Sequence, residues 1–403
     1  MPATHQTRTA SALLHFGFAL TGVVTTLLGP LLPWLSARWS LTDAQAGYFF
    51  TAQFVGSMVG VALSGITVRR LGFGSALMAG YLTLALGIAM LGMGVWPFAL
   101  LPVFIYGIGL GVAIPATNLY VSDANPESRA AALNLLNLSW GVGAIVSPTL
   151  LSLVDRVSPT RIVGPALAVV LAAVAVALSF VTCSASVNKS RELLPSKGWR
   201  NLGISTLFCL GAVFYLYVGT ENALAGWIAS YARRVGTQPT SLWLLAPSFF
   251  WGALLVGRAI APAVLRRTAE QYVAAGGLLI AATGSLILIA APGFATVFLA
   301  AVLAGVGLAS VYPIAIAQLS HRFGNSATRV APIMFALAGF GGATIPWTVG
   351  FVSTSSGSLR SGLAVPLGGT LCMLGVFVLL AVFGGAAAPS KASAELRSDA
   401  ATL

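Results

Sequence analysis

Gly107-Ile108-Gly109-Leu110 followed by Pro115, in one apolar run, and Gly305-Val306-Gly307-Leu308 followed by Pro313, in another, are one motif written twice, 198 positions apart. Gly141, Gly143 and Pro148 recur at the same offset as Gly339, Gly341 and Pro346. Gly60 with Arg69-Arg70 recurs one position closer, as Gly257 with Arg266-Arg267. Glycine and proline are frequent in membrane helices, so a single match carries no weight. Three segment pairs that agree on one spacing indicate an internal duplication.

Composition says what the duplicated segments are. Of the 403 residues, 57% are hydrophobic and 7% charged, against about 25% charged in a soluble domain, and the mean hydropathy is +0.91. Allowing about 20 apolar residues per crossing, twelve spans are expected: near 12–36, 44–68, 74–95, 98–121, 130–153, 163–185, 202–232, 240–265, 271–291, 294–320, 330–354 and 362–385. The predicted fold is an all-α membrane protein of two six-helix halves in parallel repeat. Residues 1–185 form the first half and 202–388 the second, with a polar, basic linker over 186–201 and a polar tail over 389–403. The first apolar run exceeds signal-peptide length and has no small-residue cleavage site, so it reads as a retained span.

The net charge of +12 would point to nucleic acid in a soluble protein. Here the basic residues cluster at the ends of apolar runs, which is a topological pattern, and nucleic acid is not an expected partner. With the N-terminus inside, cytoplasmic segments hold 14 of the 21 Lys and Arg. The opposite side holds six: Arg38, Arg156, Arg161, Arg233, Arg234 and Arg360. The positive-inside rule then places both termini in the cytoplasm, and an inner membrane is the expected location. Cys183, Cys209 and Cys372 lie scattered in apolar runs, which suits inert thiols better than disulfides or metal. No cofactor is expected. No nucleotide-binding loop is present either, so no step driven by a bound nucleotide is expected.

One stretch breaks the apolar pattern. Tyr217-Val218-Gly219-Thr220-Glu221-Asn222-Ala223-Leu224-Ala225-Gly226-Trp227 sets a carboxylate beside an amide inside a span. A charge there costs roughly 2.5–3.5 kcal/mol, which marks Glu221 as a functional residue. It could titrate and couple protons, ligate Na⁺ through oxygen, accept hydrogen bonds from a substrate, or pair with Arg258, the other charge within a span. At about 1.5 Å of rise per residue, Glu221 falls somewhat outside mid-membrane and Arg258 well inside it. A direct pair is therefore not expected, and a structural or snorkelling role is one alternative for Arg258. Asn118 ends span four. Asn134 and Asn137 share a face of span five, with Trp140 a turn on, and Gln53, Trp251 and Tyr312 add amide, indole and phenol from other spans. Amides within a bilayer either bond a neighbouring helix or line a polar cavity. Amides combined with indole faces suit a sugar, whose hydroxyls need donors and acceptors and whose C–H face needs an apolar cover.

The corner Gly65-Ile66-Thr67-Val68-Arg69-Arg70-Leu71-Gly72 resembles the major-facilitator loop signature, with Arg69 where that family usually has Asp; the resemblance implies an inward gate held by basic residues, here Arg69, Arg70, Arg266 and Arg267, to which Arg258 is also assigned. Over most of its length the chain resembles the fucose-permease branch of that superfamily. The likeness is carried by Leu31-Leu32-Pro33, Leu41-Thr42, Gln45-Ala46-Gly47, Gly109, Asn118, Pro126-Glu127-Ser128 and Leu133-Asn134-Leu135. In the second half it continues through Tyr217-Val218-Gly219, Trp227, Tyr231, Gly257-Arg258, Tyr312-Pro313 and Gly350-Phe351-Val352-Ser353. The resemblance implies a secondary transporter for a monosaccharide, a hexose or deoxyhexose. It also implies that the proton-coupling Asp of span one and Glu of span four are replaced here by Gly29 and Ile114, neither of which titrates. Sugar-site positions implied by the same resemblance are Thr26, Asn137, Trp140 and Tyr312. With Gln53, Asn118, Asn222 and Trp251 they form the expected substrate site, and Glu221 is the expected coupling or central acid, with H⁺ or Na⁺ as the ion, or none in a uniporter. The short run from Gly141 to Ser147-Pro148 departs from the Gly-rich signature of drug antiporters. An efflux pump for apolar compounds or a lipid flippase is the alternative, a non-transporting sensor a third reading, and a lipid-embedded monomer the expected state.

Overall fold

The computed structural model describes residues 3–153, 159–182, 204–236 and 241–384. The 186–201 linker, the 389–403 tail and Cys183 lie outside them. The described residues are helical throughout: α1 (Ala3–Trp39), α2 (Asp43–Ala89), α3 (Leu100–Ala124), α4 (Arg129–Leu153), α5 (Pro159–Thr182), α6 (Ile204–Val235), α7 (Ala246–Leu265), α8 (Glu270–Ala290), α9 (Phe294–Leu308), α10 (Val311–Phe323), α11 (Ala327–Ser356), α12 (Leu359–Gly362) and α13 (Ala364–Gly384). Among these residues, eleven continuous helical stretches are long and apolar enough to cross a bilayer.

Eleven stretches make twelve crossings because α2 counts twice. Its 47 residues turn at Gly72, whose φ of 81° and ψ of 172° suit glycine alone. Packing against α3 shows the reversal. Gly56 meets Phe104 and Ser64 meets Val112, so 43–71 runs parallel to α3. Gly80 meets Ala113 and Gly87 meets Pro102, so 73–89 runs antiparallel to it. Span ten is interrupted instead: α9 stops at Leu308 and α10 starts at Val311. Pro313 lacks an N–H and its ring crowds the carbonyl of Ala309, four residues back, which accounts for the break. Gly219, by contrast, lies within continuous α6. There its missing side chain admits α11, because a Cβ would lie 2.7 Å from the Gly341 oxygen.

The sequence repeat is a repeat of helix crossings. Gly107 of α3 lies on the Gln53 carbonyl, and Gly305 of α9 lies on that of Phe250. Gly109 packs on Gly80 and Leu84, and Gly307 on Gly277 and Ala281. Gly143 of α4 lies on the Ala19 carbonyl, and Gly341 of α11 on that of Tyr215. Each glycine allows two backbones to approach where any side chain would collide with main chain, the usual device of helix packing in lipid.

The halves join mainly along α2 with α11, where neighbouring pairs run from Asp43 and Gly350 down to Met58 and Gly339. The Ala44 N–H donates to Thr354 Oγ1 at 2.8 Å, Thr51 donates to the Ala343 carbonyl at 2.7 Å, and Ser248 of α7 donates to the Ile145 carbonyl of α4 at 2.8 Å. Gly29 lets α1 press on α6, a Cβ there lying 2.9 Å from the Ala225 oxygen. All of these contacts lie toward the Asp43 end. At the other end Arg69, Arg70, Arg266 and Arg267 are exposed, and a Cβ at Gly65 or Gly72 would meet nothing within 4 Å.

Candidate functional site

The structure corrects the expected separation of Glu221 and Arg258. Arg258 Nη2 lies 3.2 Å from Glu221 Oε1 and 3.2 Å from the Tyr217 hydroxyl. Tyr217, one turn before Glu221 on α6, donates to the same carboxylate oxygen at 2.9 Å. Counting residues along each helix missed the direction of the side chains. Helical side chains lean toward the N-terminus of their own helix, and α6 and α7 run in opposite directions. Glu221 therefore leans toward the open end and Arg258 away from it, so they close on each other. Glu221 is 8% exposed and Tyr217 1%; with so little water available, the carboxylate depends on these two partners. Tyr312 stacks on Tyr217 with ring centroids 5.2 Å apart, directly after the break between α9 and α10.

Beside this cluster is a cavity of about 420 Å³ between α4 and α7, lined by the parts of both helices nearer the Arg69 end. Its polar and aromatic lining is Asn134, Asn137, Trp140, Trp251 and Arg258. The two indoles meet edge to face, centroids 5.5 Å apart at 83°. A second space is nearly closed, at about 10 Å³, room for about one water. Thr26, Gln53, Asn222 and Trp251 border it, together with Gly29. Trp251 faces both spaces.

The expected substrate residues thus divide. Asn137, Trp140 and Trp251 surround the open cavity. Thr26, Gln53 and Asn222 surround the collapsed one and are engaged within the protein. Gln53 donates to the Thr25 carbonyl at 3.1 Å and accepts from the Tyr106 hydroxyl at 2.9 Å, tying α1, α2 and α3 together. Thr26 donates to the Gly22 carbonyl at 3.0 Å and Asn222 to that of Val218 at 2.8 Å. Asn118, bonded to the Ile114 carbonyl at 2.9 Å, and Tyr312 line neither space. Nor does Glu221, which stands behind Arg258. Gly29, where the resemblance implies an acid has been lost, is a backbone crossing with no space for one.

Two features escaped the sequence reading. Tyr217 bridges both charges, and its i, i+4 spacing from Glu221 was the available signal. Asp43 receives Arg234 Nη1 at 2.8 Å and Nη2 at 2.5 Å, and Ser353 donates to it at 2.5 Å, fastening α2 to α6 and α11. Thr42 caps the start of α2 together with Gln45, but nothing local in the sequence identifies a partner 191 residues away.

Twelve crossings in duplicated halves, fastened at one end and with a cavity between α4 of one half and α7 of the other, are the architecture of a solute transporter working by alternating access. Residues 14–346 match the Major Facilitator Superfamily, and the chain belongs to that family. It is similar to the glucose/mannose transporter GlcP of Bacillus subtilis (strain 168), 24% identical over 365 residues that span 83% of this chain and 86% of that protein. It is also similar to the L-fucose-proton symporter of Escherichia coli (strain K12), 25% identical over 421 residues and 91% of each chain. The crystal structure of a D-xylose-proton symporter shares the fold, with a TM-score of 0.74 at 16% identity over 91% of this chain and 95% of that one.

Proposed function

We propose that this protein carries a neutral monosaccharide, a hexose or deoxyhexose, across the inner membrane, and that the conformation described is inward-facing. The observation that carries the reading is the cavity itself. Two crossed indoles and two amides meet in about 420 Å³, within the roughly 300–1,000 Å³ of small-molecule sites. Indole faces cover the apolar side of a sugar ring, and amides serve its hydroxyls. The transported sugars of the similar proteins, glucose, mannose and L-fucose, support the same class. The positive-inside distribution supports cytoplasmic termini, which makes the Arg69 end cytoplasmic and the Asp43 latch an outer gate. The half boundaries at 185 and 202, the linker and the tail follow from that topology, and the protein works as a monomer.

Substrate would leave by the open α4–α7 cavity, past Arg69, Arg70, Arg266 and Arg267, the residues that close the inner gate in the opposite state. The collapsed space around Thr26, Gln53 and Asn222 would open to the outside when the latch parts, with Trp251 bordering the route in both states. Glu221 is the one acid among the described residues that lies in the interior of a spanning helix, so cation coupling, by H⁺ or Na⁺, is assigned to it. Uptake of radiolabelled glucose, galactose, mannose and L-fucose into proteoliposomes, with and without each cation gradient, tests this directly. Gradient-driven accumulation of a hexose is expected; absence of any sugar flux would defeat the reading.

A further inference from the structure

Only one residue lining the open cavity carries a charge, and that residue is Arg258. Its guanidinium is engaged with protein through Nη2 alone. Its Nε is buried without an acceptor, while the side chain as a whole keeps 31% of its exposure. Buried Nε is out of an occupant's reach, so it is the exposed part of the guanidinium, not already spent on Tyr217 and Glu221, that a cavity oxygen can meet. Glu221 is absent from the lining, so the ion pair is oriented: the carboxylate faces the α6 interior and the cation faces the cavity. Across the cavity, Asn137 spends its Nδ2 on the Leu133 carbonyl at 2.8 Å, which leaves the amide oxygen as an acceptor. The occupant therefore meets fixed donors at α7, an acceptor at α4, and indole walls at Trp140 and Trp251. A hydroxyl that accepts from one side while a neighbour donates to the other matches that arrangement, as in a vicinal diol.

Resting on the monosaccharide reading above, we propose that Arg258 is a substrate-contacting, specificity-determining residue and not part of the inner gate. It donates to a ring hydroxyl oxygen of a neutral sugar, and Glu221 with Tyr217 holds its guanidinium in position. The preference for a neutral sugar follows from Glu221, which already compensates the cation. A carboxylated sugar would add an unmatched charge to a cavity otherwise lined by Leu135, Leu138, Leu254 and Leu255.

The test pairs a substitution with an atom deleted from the ligand. Purified full-length protein in detergent is titrated calorimetrically with glucose, galactose, mannose and L-fucose. The tightest binder is then replaced by its single-deoxy analogues and by its uronate, for the parent, Arg258→Lys and Tyr217→Phe. Lysine keeps a charge opposite Glu221 but loses the planar fork. The parent sugar should bind Arg258→Lys about tenfold more weakly. One deoxy analogue, lacking the contacted hydroxyl, should bind both proteins within about twofold. Tyr217→Phe should show the same analogue pattern at about threefold, and it carries the test if the lysine variant is not monodisperse. An equal loss for every analogue, or no loss at all, would overturn a direct contact and leave the sugar reading standing. Uronate binding as tight as the parent sugar would overturn the neutral preference. If no sugar binds the parent protein at millimolar concentration, the monosaccharide reading falls and the Arg258 proposal falls with it.

Discussion

Gly143 lies on the carbonyl of Ala19, and Gly341 lies on the carbonyl of Tyr215, so the two halves cross their helices at matched points. The same register sets Thr25 against Glu221, and the match of Gly60 with Gly257 sets Val61 against Arg258. Where the second half holds an ion pair, the first holds a threonine, whose hydroxyl donates to its own helix at Thr21 at 2.7 Å, and a valine. Backbone crossings are shared because each admits only glycine. Positions facing the centre lie under no such restraint, and there the halves have parted in chemistry. The second half supplies the charges, and the first supplies neutral amides and an indole. The two halves therefore present unlike walls to each other.

That contrast can be broken most severely at the ion pair. Glu221→Gln or Arg258→Gln leaves the other charge partnerless; single removal from a buried pair costs about 3 kcal/mol, the low end of the range because the guanidinium is partly exposed. Thermal unfolding in detergent should shift down accordingly, and net sugar uptake should fall more than about tenfold. In Glu221→Gln, gradient-driven accumulation should vanish while sugar exchange across vesicles without a gradient persists. Accumulation that survives unchanged would remove Glu221 from coupling.

The shared skeleton gives the next largest effect, and a symmetrical one. Gly143→Ala and Gly341→Ala each place a methyl against a main-chain carbonyl, at about 1–3 kcal/mol of overpacking. Paired melting curves should drop by similar amounts; strongly unequal drops would refute the equivalence of the crossings. Replacing an indole probes the unlike walls: Trp251→Ala, which borders both spaces, should weaken sugar binding about tenfold, and Trp140→Ala somewhat less. The smallest effect belongs to the Asp43 latch. Asp43→Asn weakens a partly exposed pair worth about 1 kcal/mol, shifting the outward-facing population by about fivefold. Spin-label distances between Ser40 and Ser356, both exposed, should gain a longer component.

Particular residues show why the fold was more legible than the site. The glycine pairs announced the duplication because close backbone approach leaves one permitted residue, and that restriction is visible in a string of letters. Trp140, Trp251 and Asn137 were recognisable because polar and aromatic groups are conspicuous within apolar runs, and the structure brings them around one cavity. Gln53 and Thr26 looked the same in sequence, yet their polar atoms are consumed by Thr25, Tyr106 and Gly22. Composition cannot separate an amide that braces helices from one that faces a cavity. The Glu221–Arg258 pair was hidden for a different reason: residue counting places Cα atoms along an axis, whereas the contact depends on how two antiparallel helices aim their side chains.

Gly72 has a consequence for how the protein is made. Spans two and three are continuous through this one residue, with Arg69 and Arg70 just before it. There is no loop in which a lone second span could wait at the membrane surface while the third is synthesised. The pair would then enter the bilayer together as a helical hairpin, with the two arginines at its turn. Any side chain at position 72 would strain the turn on which that concerted insertion depends. Its first measurable cost would then be a lower yield of inserted protein, before any change in transport by the molecules that do mature.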